Sequence, residues 1–138
     1  MTHVSSHITI QAPLYAIWQM ISDFGAAGEY LVGVVSCTVE GEGVGALRTL
    51  TYADDSTILE RLATLDEAAH QLSYALLTET PFGDCLTTMT VHELGSYQGK
   101  LVWSATFEPI GIPANEAMSL LEGTLAVNCL ALKQLLER

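Results

Sequence analysis

"GTLAVNCLAL", residues 123–132, contains no charged side chain in a chain whose formal net charge is −11. Pro113 precedes it by a few turns and supplies the fixed φ favoured at the start of a helix, so the pattern predicts one long final helix from Pro113 to the C-terminus. A helix that is apolar nearly all round has to be buried nearly all round. Some other element of this chain must therefore wrap it.

The wrapping element is legible immediately upstream. From Gly33 to Phe107, β-branched and aromatic residues come in short runs, predicting six strands at about 33–40, 45–53, 57–65, 70–77, 84–93 and 100–108. They are divided by the Gly-rich 41–45, Asp54-Asp55-Ser56, Asp66-Glu67-Ala68-Ala69, Pro81-Phe82-Gly83 and Gly95 to Gly99. None of these interruptions can hold the crossover helix that a parallel pair needs, so an antiparallel meander is expected. Further back, Val4, Ser6, Ile8 and Ile10 alternate with Ser5, His7 and Thr9 as a strand. Pro13 then opens a helix to about Asp23, with Leu14, Ile17, Trp18 and Ile21 on one face, and Gly25 and Gly28 end it. The order β, α, six β, long α belongs to the α+β class, and only the final helix is large enough to cover the concave face of a curved sheet.

Composition narrows the function. A length of 138 residues suits a single domain, 1–138. With 5 Lys+Arg against 16 Asp+Glu, the long-range field repels nucleic acid and anionic lipid headgroups. A charged fraction of 15% and a mean hydropathy of +0.33 imply either a very full core or apolar surface turned inward around a cavity. No run approaches the roughly 18 apolar residues of a membrane span. "MTHVSSHITI" lacks the basic and apolar regions of a leader, so a cytoplasmic protein, monomer or homodimer, is expected. Cys37, Cys85 and Cys129 are odd in number and widely spaced, which argues against a disulfide framework. His3, His7, His70 and His92 show no metal-gathering spacing, and neither a metal nor a cofactor is expected. Gly41, Gly43 and Gly45 form a GxGxG, but "ALRTLTY" after it alternates like a strand rather than opening a helix, so it reads as a hairpin turn. No nucleophile elbow is present.

Four segments in this order, "ITIQAPLYAIWQMISDF" (8–24), "GEGVGALRTL" (41–50), "ERLATLDEAAHQLSYALL" (60–77) and "LVWSATFEP" (101–109), resemble the polyketide cyclase/dehydrase-type branch of the START-like (SRPBCC) superfamily, related to the birch-pollen-allergen fold. The resemblance implies a helix-grip fold: seven antiparallel strands around a C-terminal helix, enclosing a cavity for a lipid, polyketide or similar apolar molecule. It does not imply one reaction, because members bind, transport, cyclise or regulate.

Arg48 and Glu60 stand out within that frame. They lie on consecutive strands joined by a tight turn, so they face each other within side-chain reach. Alternation groups Arg48 with Leu50 and Tyr52, and Glu60 with Ile58 and Leu62, on the expected interior face. Such a pair is either part of a binding site or a structural salt bridge at the sheet rim. Glu108 shares a face with Val102, Ser104 and Thr106 and is a candidate third member. In the resembling plant abscisic acid receptors, positions matching Arg48, Glu60 and Glu108 are polar pocket residues. Their hormone-binding lysine is replaced here by Val35, an asparagine of their last helix by Ala131, and their gate loop by Asp54-Asp55-Ser56. The resemblance therefore implies a more apolar ligand with one or two hydrogen-bonding groups.

On the last helix, Leu120, Gly123, Val127 and Ala131 form a stripe of mostly small side chains, serving either close helix–sheet packing or room for a ligand. Cys85, Thr87 and Met89 alternate on a central strand as a candidate opposite wall, and Tyr74 adds a hydroxyl. The expected function is binding of a small hydrophobic or amphipathic molecule between the helix and the sheet. The alternative is a cyclase or aromatase in which Glu60 or Glu108 transfers a proton.

Overall fold

Turn chemistry cuts the middle of the chain into strands. Gly41, Gly43 and Gly45 adopt φ of +86°, +63° and +95°, a region open to glycine and strained for other residues, so the GxGxG is a turn. Asp55, at φ +70°, makes the next one. In the computed structural model, which describes residues 1–138, the strands are β1 (Thr2–Ile10), β2 (Val34–Glu40), β3 (Leu47–Tyr52), β4 (Thr57–Asp66), β5 (Gln71–Leu76), β6 (Phe82–Gly95) and β7 (Gln98–Pro109). They form one antiparallel sheet in the order β1-β7-β6-β5-β4-β3-β2. This is the expected meander, with the N-terminal strand returning beside the last.

Helix α1 (Leu14–Ser22) buries Ile17, Trp18 and Ile21, the face its spacing predicts. Gly99 on β7 makes this docking possible: a Cβ there would stand 2.5 Å from Ile17 Cδ1. Gly25 and Gly28 do not end the helical region as expected, because they lie inside a 3₁₀ segment, Phe24–Glu29, capped by Asp23 Oδ1 accepting from the Gly25 amide. Two other boundaries shift. Phe82 and Gly83 begin β6 instead of forming a turn, and the β6–β7 hairpin closes at Ser96-Tyr97.

Helix α2 (Ala114–Leu136) lies chiefly over β1 and, to a lesser extent, β7. Its orientation corrects one expectation. Ala117, Leu125, Asn128, Cys129 and Leu132 are buried, with Leu121 partly so, while Leu120, Val127 and Leu130 are about half exposed. The helix thus has one buried stripe rather than being enclosed all round. No helix of the chain is long and apolar enough to cross a membrane.

The two helix faces separate in a simple stability test. Leu132→Ala should cost about 2–5 kcal/mol in urea unfolding through the lost burial and the cavity left behind. Leu130→Ala, on the outward face, should stay within about 0.5 kcal/mol. Equal costs would contradict this orientation.

Candidate functional site

The β3–β4 hairpin pairs Arg48 directly with Glu60. Arg48 Nε donates to Glu60 Oε1 at 2.8 Å and Nη2 approaches the same oxygen at 2.7 Å. Nη1 donates to the Phe24 carbonyl at 3.3 Å. The guanidinium lies 4.1 Å from the Phe24 ring centroid and 4.6 Å from that of Tyr74, an aromatic sandwich that offsets part of the lost hydration. Arg48 is 2% exposed and the Glu60 side chain 12%.

Burial pushes the Glu60 carboxyl up, and the Arg48 charge offsets this only partly. Burial opposes the Arg48 charge as well, but Glu60, Tyr74 and Tyr30 outweigh it and hold the guanidinium above its ordinary value. Arginine does not release its proton in the working range of proteins. A neutral Glu60 would leave that guanidinium as a lone buried charge at a cost of several kcal/mol, so at neutral pH the pair is ionic. Burial also raises the Tyr30 phenol to about 12 and pushes the Tyr74 phenol up further. The thiols of Cys37, Cys85 and Cys129 are raised for the same reason, which makes them poor nucleophiles.

In front of Glu60 lies a cavity of about 330 Å³ between α2 and the sheet. The sheet supplies Leu50, Tyr52, Tyr74, Leu76, Phe82, Cys85, Thr87 and Trp103; α2 supplies Leu121, Thr124, Leu125 and Asn128; Leu31 and Val32 complete the wall. Trp103 Nε1 donates to the Tyr74 hydroxyl at 3.2 Å, and Tyr30 packs edge-on against Trp103. Asn128 Oδ1 accepts from the Val32 amide at 2.9 Å, tying the loop after the 3₁₀ segment to the helix. A larger recess, about 620 Å³, runs along residues 76–84 and Ile110. It shares only Leu76 and Phe82 with the cavity and carries Glu79 and Asp84.

Of the residues proposed from sequence, Glu60, Tyr74, Cys85 and Thr87 line this cavity, and Arg48 stands directly behind Glu60. Met89 is buried in the core without reaching the wall. Glu108 is a correction. Its face of β7 is the convex one, because Leu101, Trp103, Ala105 and Phe107 point inward, and its half-exposed carboxylate lies 3.8 Å from the Met1 amino group. Leu120, Gly123 and Val127 are also corrected: the stripe they form faces outward, and Ala131 is only half buried and outside the wall. Val35 points to solvent as well. The polar residues that the last helix does present are Thr124 and Asn128, neither of which the small-residue stripe includes. A usable signal was Glu116, which shares the i+7 row with Gly123 and Leu130 and marks that row as the wet one.

Residues 1–137 match the model of the family described as "Polyketide cyclase / dehydrase and lipid transport", and the chain belongs to that family. Among solved structures, the protein XoxI of Bacillus cereus is 26% identical with a TM-score of 0.89, covering 99% of this chain and 96% of that one. A Bacillus thuringiensis protein is 25% identical with a TM-score of 0.90, covering 98% of each chain. The Zhui aromatase/cyclase of Streptomyces sp. R1128 is similar in fold, at 20% identity and a TM-score of 0.82 over 99% of this chain and 94% of that one. The seven-stranded sheet with its C-terminal helix is the helix-grip arrangement of these proteins.

The buried phenols carry a pH signature. The Tyr30 phenol ionises at about 12 in the folded chain and at about 10 when unfolded, so above pH about 10 the unfolded state binds fewer protons and stability falls with rising pH. Urea midpoints should therefore drop between pH about 9 and about 11.5, with Tyr30 contributing on the order of 2 kcal/mol. In Tyr30→Phe the drop should be smaller, and an unchanged drop would show that Tyr30 is not the group responsible.

Proposed function

We propose that this chain binds a small, predominantly apolar molecule in the cavity between α2 and the concave sheet. The observation that carries this reading is the wall itself. Eleven of its fifteen residues are hydrophobic, and the polar remainder, Glu60, Thr87, Thr124 and Asn128, is sparse. Small-molecule sites have this composition and volumes of about 300–1,000 Å³, which places this one at the compact end and suits one or two fused rings. Burying about 200 Å² of apolar ligand surface supplies roughly 5 kcal/mol. One hydrogen bond to a charged group adds about 1.5–3 kcal/mol, which brings the total near micromolar affinity.

Cyclase chemistry is the second reading, supported by the family and by the upward push of burial on the Glu60 carboxyl, which makes a carboxylate a better proton acceptor. The Arg48 contacts work in the opposite direction and favour the binding role. Turnover of a poly-β-ketone thioester that disappears in Glu60→Gln would establish the enzyme.

Filling the cavity tests the binding reading. Thr87→Phe should abolish retention of a small molecule that co-purifies in native mass spectrometry while leaving the circular dichroism spectrum intact. Gly123→Phe, on the outward face of α2 with no atom within 4 Å of a Cβ there, should retain it. Retention in both variants would place the ligand elsewhere.

A further inference from the structure

The two oxygens of Glu60 are used unequally. Both Arg48 contacts fall on Oε1, and Oε2 takes no hydrogen bond from the protein. No fully buried side-chain oxygen or nitrogen of the chain lacks a partner, so Oε2 is not sealed in the core, and the space that Glu60 borders is the cavity. The result is an acceptor with an open lone pair at the edge of an apolar hollow, held still by a guanidinium that is itself immobilised between two rings. Asn128 is arranged the other way round: Oδ1 is occupied by the Val32 amide, leaving the amide nitrogen as a donor on the helix side of the same space.

No cation is free to meet an anionic ligand. The chain has 5 Lys+Arg residues in all. Arg48 is committed to Glu60 and Phe24. Arg61 and Lys100 alternate onto the convex face of β4 and β7, Lys133 is held by the Thr9 carbonyl and Glu137, and Arg138 is exposed beyond the end of α2. The recesses that adjoin the cavity through Tyr52, Leu76 and Phe82 carry Asp54, Glu79 and Asp84. An incoming carboxylate would meet acids on the approach and a carboxylate at the wall.

Building on the binding role above, we propose that the cavity selects an uncharged, hydroxyl-bearing ring compound, whose hydroxyl donates to Glu60 Oε2, and rejects the corresponding carboxylic acid. Hydrogen bonds to a charged group in a dry site are among the strongest available to a neutral ligand, and the pairing of one fixed acceptor with one amide donor suits a phenol or alcohol that also carries a carbonyl or ether oxygen.

Three probes of nearly equal size separate the terms: naphthalene, 2-naphthol and 2-naphthoate, titrated at neutral pH into ¹⁵N-labelled protein with the Val32 and Thr87 amides as reporters. The expected order is 2-naphthol tighter than naphthalene by about tenfold or more, with 2-naphthoate weaker than both. In Glu60→Gln, which leaves Arg48 without a counter-charge, the naphthol advantage should vanish and 2-naphthoate should gain at least about tenfold. If that variant does not fold, the wild-type ratios decide alone. Naphthol no tighter than naphthalene, or naphthoate as tight as naphthol, would overturn the selectivity while leaving the cavity as a binding site. If none of the three moves these amides, the binding role falls and the selectivity falls with it.

Discussion

The interior of this protein is organised around one charge that cannot be neutralised. A guanidinium that is 2% exposed has to be surrounded by compensating groups, and each comes from a different part of the chain: the carboxylate from β4, the carbonyl and one ring from the 3₁₀ segment, the other ring from β5. Removing any one would leave the charge less well solvated than water leaves it. Arg48 therefore fixes how the 3₁₀ segment seats on the sheet, and through it where the Tyr30–Val32 loop meets α2.

The cavity follows from that seating. Helix α2 docks mainly over β1, at one edge of the sheet, so its buried stripe cannot also fill the space above β3 to β6. The 3₁₀ segment covers the β2 end, and the Val32 to Asn128 hydrogen bond closes the gap between it and the helix. What lies between is the hollow, walled by side chains of the sheet, the helix and the Leu31–Val32 stretch. Trp103, the largest of them, is held upright by its bond to Tyr74 and by the edge of Tyr30, so it borders the hollow and does not collapse into it.

Charge gives this arrangement its chemical character. A pocket with a buried arginine would ordinarily be read as an anion site. Here the arginine is fully used by the protein, and the group turned toward the open space is its carboxylate partner. The polarity turned toward the hollow is the reverse of the one that a residue inventory suggests.

Much of the architecture was legible in the amino-acid order. Turn formers and a period of two delimited seven strands to within a few residues, the spacing of Ile17, Trp18 and Ile21 named the buried face of α1, and a tight turn alone placed Arg48 opposite Glu60. Alternation, however, states only which residues share a face and never which face is the inner one. Glu108 was grouped correctly with Val102, Ser104 and Thr106, yet the heavier Leu101, Trp103 and Phe107 on the other parity take the interior. The final helix posed the same problem around its axis: with no charge from 123 to 132, both of its stripes are apolar, and only contact with β1 and the Val32 loop chose the one carrying Leu125, Asn128 and Leu132. Local periodicity determined the elements and their partners, because it depends on neighbouring residues. The direction each face turns, and the hollow that results, were decided by packing between segments as far apart as Val32 and Asn128, which no local pattern encodes.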